Sequence, residues 1–204
     1  TRSIKDAFYN QTPIPLHNPL EIIERVLKSK RAYIDIKYSL QYETDMNLLL
    51  IEWSNEYDIQ NEFRCFVNNG KLYAITQYDL YNSIDFYEYQ LQELIDTIQL
   101  FINNIKTYEN YNTFYNDAVI DICITENEDS NGYISFNINV IEYNPVHKST
   151  SAIYYTWDEL DKLKIRNSEI DENDENDEND ENDTNIISFR YKNIDDEINT
   201  IQYY

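Results

Sequence analysis

Glycine is nearly missing from this chain: there are two in 204 residues, Gly70 and Gly132. A phosphate loop that wraps backbone N–H groups around a nucleotide needs several glycines in one short stretch, so that device is excluded. Cysteine is equally scarce. Cys65 and Cys123 show neither CxxC spacing nor a neighbouring His cluster, so they read as small buried residues of a reduced compartment rather than a zinc or disulfide framework. Bases are outnumbered, 16 Lys and Arg against 38 Asp and Glu, and the net charge of −22 argues against a nucleic-acid partner. No apolar run reaches membrane-spanning length, and no basic-then-apolar leader opens the chain. The expected setting is the cytoplasm, with no membrane contact. The first residue, Thr1, reads as a start inside a longer protein or as a processed start.

What is present is ample core material. The chain is 42% apolar, with 20 Tyr and 8 Phe, enough for one domain or two small lobes sharing a cleft. Much of the charge sits in one place. Residues 171–183 read DENDENDENDEND, and the stretch from Glu169 to Asp183 holds acids and no base. A segment of this composition has nothing to bury and is expected to be a disordered spacer over 167–185. The abundance of Asn, Ile and Tyr reads as coding bias.

Along the chain, Asn18, Pro19 and Glu21 mark a capped helix start, followed by a stripe of Leu20, Ile23, Val26 and Leu27 through to Lys30. Residues 32–38 are ambiguous. LLLIEW (48–53) predicts a buried strand. EFRCFV (62–67) and KLYAITQYD (71–79) flank Asn68-Asn69-Gly70, a strong hairpin signal. Leu91, Leu94, Ile95, Ile98, Phe101, Ile102 and Ile105 recur at helical spacing within 85–105 and predict a core helix. AVIDICI (118–124) and YISFNINVIEYNP (133–145), joined through Asn131-Gly132, predict a second hairpin. TWDEL (156–160) begins a short helix and IISFRY (186–191) a last strand, with a tail beyond it. The sum is an α+β protein with an antiparallel sheet.

The second hairpin is where chemistry concentrates. Glu142 and Asn144 share a strand face, and a two-residue turn at Asn131-Gly132 sets Asp121 opposite Glu142. Two facing carboxylates repel unless a cation lies between them, and two carboxylates with an amide suit Mg²⁺ better than zinc. A longer turn would shift the register and turn the acids to solvent. Arg64 lies among apolar neighbours and needs an anion: a phosphate, or a structural partner such as Glu62 or Asp79. Trp53 could stack on a flat ligand or serve as core. His17 and His147 have no Ser or Cys partner in the pattern, so nucleophilic catalysis finds no support.

Two long segments resemble a known family. EFRCFVNNGKLYAITQYDLY (62–81) and VIEYNPVHKSTSAIYYTWDEL (140–160) are similar to the two signatures of the cell-division-cycle protein 123 family. LLLIEW precedes the first, the long helix follows it, AVIDI precedes the second, and an acidic insertion leads to SFRY (188–191). The resemblance implies an ATP-grasp-like fold, with antiparallel sheets, flanking helices and a nucleotide cleft holding ATP and Mg²⁺. It implies Asp121, Glu142 and Asn144 as magnesium ligands, Ile51, Glu52 and Trp53 as the adenine hinge, and Arg64 as a phosphate contact. It places Ser3, Lys5 and Asp6 of SIKDAF near the nucleotide. In its terms, residues 1–47 are the remnant of an N-terminal lobe, 48–166 the ATP-grasp core, and 186–204 a terminal strand and tail.

This chain departs from the family pattern at several positions. Glu142 replaces an Asp, Glu52 stands where a base is usual, and Tyr78 replaces an Arg. The family's ATP-binding Lys would precede Thr1. Two lost phosphate contacts, each worth about 1.5–3 kcal/mol, lower the expected ATP affinity by a hundredfold or more. Three functions stay open. The resemblance implies an ATP- and Mg²⁺-dependent, chaperone-like assembly factor for eukaryotic translation initiation factor 2, engaging its gamma subunit. A degenerate module acting through protein contacts alone is the alternative. A carboxylate–amine ligase of the ATP-grasp type is the third.

Overall fold

Asn18 opens the first long helix in the way its neighbours dictate: its Oδ1 accepts from the Glu21 N–H at 3.0 Å, while the Glu21 carboxylate accepts from the backbone of His17 and the amide of Asn18. The computed structural model describes residues 5–8, 14–50, 52–54, 58–84, 88–105, 116–128, 130, 134–174 and 186–203. The chain divides into two compact units, Thr1–Asn55 and Glu56–Tyr204.

In the first unit, α1 (Pro19–Lys28) gives way at Ser29 to α2 (Lys30–Tyr42). Ser29 ends one helix and caps the next, its Oγ accepting from the Ala32 N–H. The α1 stripe is exposed at Leu20, Ile23 and Leu27. The described residues of LLLIEW do not form a strand. Residues 48–50, 52 and 53 are irregular, and Leu48, Leu49, Leu50 and Trp53 are exposed. A strand needs a ladder partner, and the described residues of this unit offer only helices and loops.

The second unit is a six-stranded sheet with a helix on each face. In chain order it comprises β1 (Glu62–Asn68), β2 (Lys71–Gln77), α3 (Glu88–Ile105), β3 (Ala118–Glu128), β4 (Ile134–Asn144), α4 (Trp157–Asp174), β5 (Ile187–Lys192) and β6 (Ile198–Tyr203). The strands lie in the order β4-β3-β1-β2-β5-β6. Asn69 and Gly70 both have positive φ, which makes the first hairpin's tight turn. The sheet is mixed, not antiparallel, because β5 runs parallel to β2. The chain reaches β5 by a long crossover through α3, the second hairpin and α4, a path that permits parallel pairing. Residues 198–203, read from the sequence as part of a tail, form the edge strand β6 against β5.

Alternation along the strands sorts the side chains. Phe63, Cys65, Ile120, Ile122, Ile187 and Phe189 face α3, whose Leu91, Leu94, Ile95, Ile98 and Ile102 are buried against them as the spacing predicted. Each such buried aliphatic contributes about 1.5–3 kcal/mol. Both cysteines are buried, and neither forms a disulfide. On the opposite face α4 packs Leu160, with Trp157 and Leu163, over Phe66, Tyr73, Ala74, Val119 and Tyr155. Among the described residues no helix is long and apolar enough to cross a membrane.

Helix α4 is longer than its sequence suggests and enters the acidic repeat as far as Asp174. Asn167 anchors it. Its side chain donates to the Ile186 carbonyl at 3.0 Å and accepts from the Ile186 N–H at 3.3 Å, tying the helix to the start of β5. Asn167→Ala leaves both buried backbone groups without a partner, so unfolding in urea should show a loss of about 2 kcal/mol. Amide exchange at Ile186 should accelerate; an unchanged midpoint and unchanged exchange would refute the anchor.

Candidate functional site

On the α4 side of the sheet one row of residues is polar from edge to edge. Paired across neighbouring strands are Glu142, Asp121, Arg64, Thr76, Arg190 and Thr200, in that order. The apolar patch under α4 and this row share a face, so the sheet changes from apolar core to a polar row within a few residues.

At the centre of the row lies a buried ion pair. Arg64 donates from Nε to Asp121 Oδ1 at 2.7 Å and from Nη2 to Oδ2 at 2.8 Å. Arg64 is 4% exposed and Asp121 not at all. The third arm of the guanidinium, Nη1, donates to the Ser151 carbonyl, and its flat face lies 5.1 Å from the centre of the Tyr78 ring. Burial works against the charged guanidinium, but the Asp121 carboxylate more than offsets it, so the Arg64 pKa stands above its ordinary value. The bidentate partner of Arg64 is therefore Asp121, directly opposite on β3. Asp79 instead organises the turn after β2, accepting from the Tyr81 N–H and the Asn82 amide.

Asp121 does face Glu142, but the strands do not keep throughout the register that a two-residue turn would set. Nearer the turn the strands pair one step away from that register, Ile124 with Ile138 and Ile122 with Val140. A bulge between Val140 and Glu142 inserts Ile141 and restores the step, so Asp121 pairs with Glu142. Asn144 sits beyond it and donates from Nδ2 to Asp121 Oδ2 at 3.0 Å. Four predicted residues are thereby brought together: Arg64, Asp121, Glu142 and Asn144. The loop supplying Ser151 is held in turn by Thr150 to Pro145, by Trp157 Nε1 to the Thr150 carbonyl, and by Tyr154 to the Asp79 carbonyl. It carries Ile153 at φ 58°, a conformation that costs a β-branched residue about 1–2 kcal/mol.

The remaining candidates belong to the first unit. Ser3 and Ile51 lie outside the described residues. Lys5 opens a short 3₁₀ helix, Lys5–Phe8, and Asp6 within it accepts from Ser29 Oγ at 2.8 Å and the Arg31 N–H at 3.1 Å. Burial opposes the charge on Asp6, yet these hydrogen bonds hold its pKa below the usual value. Glu52 and Trp53 are exposed in the irregular segment.

Whether this donor set suits a divalent cation depends on its charge and its unused lone pairs. Asp121 and Glu142 together carry two negative charges against one positive charge on Arg64. Asp121 accepts three hydrogen bonds and a carboxylate has about four acceptor positions, so one remains. Oxygen donors with an excess negative charge fit a hard cation such as Mg²⁺. Among the described residues no group of three or more His, Cys, Asp and Glu side chains forms a metal site. The set here is two carboxylates and an amide.

Sequence reasoning missed Arg190 and Glu159. Arg190 Nη2 donates to Glu159 Oε1 at 2.8 Å, and its guanidinium lies 4.2 Å from the centre of the Tyr155 ring. Glu159 also closes a capping box with Thr156, each accepting from the other's backbone N–H. The Thr-x-x-Glu spacing in TWDEL was the available signal. Hydrogen bonds from Arg190 and from Thr156 lower the Glu159 pKa to about 2.

The D123 family profile matches residues 20–203. The chain belongs to the D123 family. This meets the expectation drawn from the two signatures. It is 32% identical over 113 residues to a translation initiation factor eIF2 assembly protein of Dictyostelium discoideum, and 35% identical over 99 residues to one of Xenopus laevis. Those matches cover 55% and 48% of this chain but 26% of each relative, about a quarter of their length. The structure of Cdc123 from Schizosaccharomyces pombe superposes with a TM-score of 0.55 at 20% identity, over 79% of this chain and 63% of that one. A C-terminally truncated form of the same protein gives 0.57 at 19% identity, over 78% and 63%. These likenesses establish that the D123 chain shares the fold of Cdc123.

Two measurements test the geometry. Asp121→Asn strands a buried guanidinium and should cost about 3–5 kcal/mol, whereas Arg64→Met with Asp121→Leu should recover most of that loss in urea titrations. Equal losses in both variants would contradict a mutually compensating pair. Because Glu159 binds its proton less readily folded than unfolded, its contribution is complete above about pH 4.5 and fades as pH falls towards 2. Glu159→Gln should flatten the thermal-melting profile over that window, and an unaltered slope would rule the pair out as its source.

Proposed function

We propose that this chain is an ATP- and Mg²⁺-binding, ATP-grasp-like assembly factor for eukaryotic translation initiation factor 2, acting on its gamma subunit in the cytoplasm. The observation that carries the reading is the oxygen cluster of buried Asp121 and Glu142 with half-buried Asn144, beside Arg64. D123 family membership and the relatives' names as eIF2 assembly proteins support the role.

In this reading the row has a division of labour. Asp121, Glu142 and Asn144 hold the cation, and Asp121 is fixed for that task by three hydrogen bonds. Mg²⁺ supplies a positive charge that neutralises phosphate oxygens. Arg64 lies one strand away from Asp121, carries more donors than Asp121 uses, and offers them to phosphate. Tyr78 covers the guanidinium face and Ser151 fixes its far arm, so Arg64 is held by four contacts rather than left to rotate in water. Adenine contacts are assigned to Ile51, Glu52 and Trp53, and further ligand contacts to Ser3, Lys5 and Asp6. No acceptor site for a ligase reaction emerges from these residues, so the role proposed is binding and assembly without turnover.

A specific observation favours a second reading. Arg64 and Asn144 together already fill three of the roughly four acceptor positions of the central carboxylate, as a module that had given up nucleotide would require. Calorimetric titration of Mg·ATP decides between them, using the chain itself, Glu142→Gln and Asn144→Ala. The assembly-factor reading expects micromolar to sub-millimolar binding that needs Mg²⁺ and is lost in Glu142→Gln, an isosteric change that spares the fold. Absence of binding at millimolar Mg·ATP by a folded sample would leave the nucleotide-free module.

A further inference from the structure

Away from Asp121 and Glu142, the outer end of the polar row opens into a groove of about 230 Å³ between α4 and the β5–β6 strands. Its α4 wall is Glu159, Lys162, Leu163 and Arg166, spaced three and four apart along one side of the helix. Ser188, Arg190, Thr200 and Gln202 form the strand side. Three cations and one carboxylate thus converge there in a chain whose net charge is −22. Helix α4 also carries Asp158 and Asp161, but neither lines the groove.

The two arginines are held rather than loose. Arg190 is fixed by Thr200 Oγ1 at 3.1 Å, the Tyr154 carbonyl at 3.0 Å, Glu159 at 2.8 Å and the Tyr155 ring beneath it. Three of its five N–H donors are used in this way, which leaves two. Arg166 Nη2 donates to Gln202 Oε1 at 2.6 Å, and Arg166 Nε is a buried donor without a hydrogen-bond partner among the described residues. A buried donor left unpaired costs about 1–3 kcal/mol, a deficit that an acceptor entering the groove relieves by drawing the guanidinium towards it. Ser188 Oγ already accepts from Tyr155 and Gln202, which leaves its own hydrogen to donate.

We propose that this groove is an anion site for a phosphate dianion, held by Lys162, Arg166 and Arg190 with Ser188 as a hydroxyl donor. The net charge of the lining, three positive against one negative, matches a dianion better than a single carboxylate. Guanidinium groups present paired donors in the geometry that phosphate oxygens accept. The dianion is either free phosphate or a phosphate monoester on a side chain, and the two carry the same chemistry.

The test follows the arginine Nε–H resonances of the ¹⁵N-labelled chain during titration with inorganic phosphate, O-phosphoserine and glutamate, with ionic strength held by chloride. Saturable shifts of Arg166 and Arg190 with either phosphate ligand are expected, and the tighter of the two identifies the source. Lys162→Gln changes an exposed residue and should weaken binding about tenfold, while Arg166→Gln should abolish it. Glu142→Gln should leave the titration unchanged, which separates this groove from the proposed Mg·ATP site. No saturable shift at tens of millimolar phosphate, glutamate binding as tightly as phosphate, or unaltered affinity in Lys162→Gln would each overturn the assignment.

Discussion

A guanidinium inside a β-sheet is tolerated only if something takes its charge and its hydrogen bonds together. Arg64 meets that demand through two bonds to Asp121, one to the Ser151 carbonyl and the ring of Tyr78. Much of the surrounding structure follows from this arrangement. The β1–β3 register must place the two side chains opposite each other, the loop after β4 must bring a carbonyl to the third arm, and Asn144 must finish the carboxylate. The loop holds Ile153 in an unfavourable backbone conformation while doing so. The apolar ladder on the α3 side supplies the stability against which these polar demands are set.

The α4 face of the sheet has two regimes. Under α4 it is aromatic, with Phe66 edge-on to Tyr155 and Trp157, a close-packed arrangement that holds the helix. Along the row it is ionic, and both arginines are steered by an aromatic face, Tyr78 for Arg64 and Tyr155 for Arg190. The abundance of tyrosine in the sequence therefore has a local use. A ring gives a flat, weakly attractive bed that orients a cation without cancelling its charge. Tyr78 lies against the Arg64 guanidinium even though it supplies no charge of its own.

Sequence reasoning reached the core more surely than the edges. The α3 stripe, the Asn69-Gly70 turn and the Asn18 cap are local patterns whose physics acts within a few residues, and all three appear as read. The facing of Asp121 and Glu142 was legible in outcome but not in mechanism, because no glycine or proline marks Ile141 as the extra residue. The parallel pairing of β2 with β5 depends on a crossover of more than a hundred residues and leaves no local trace. LLLIEW misled because an apolar run says what a segment would bury, and nothing about whether a partner strand exists. The partner of Arg64 was equally hidden: it lies 57 residues away in sequence and beside it in space.

The bulge at Ile141 also sets which coding changes this hairpin tolerates. A bulged residue is supernumerary to the ladder, so an in-frame loss of the Ile141 codon leaves Val140 opposite Ile122 and Glu142 opposite Asp121. Two positions later there is no such slack. Loss of the Tyr143 codon moves Asn144 out of step with Asp121 and draws Pro145 into the strand, where it can donate nothing. Insertions and deletions in the lineage of this chain should therefore fall unevenly across one strand, permitted at one residue and purged two residues away.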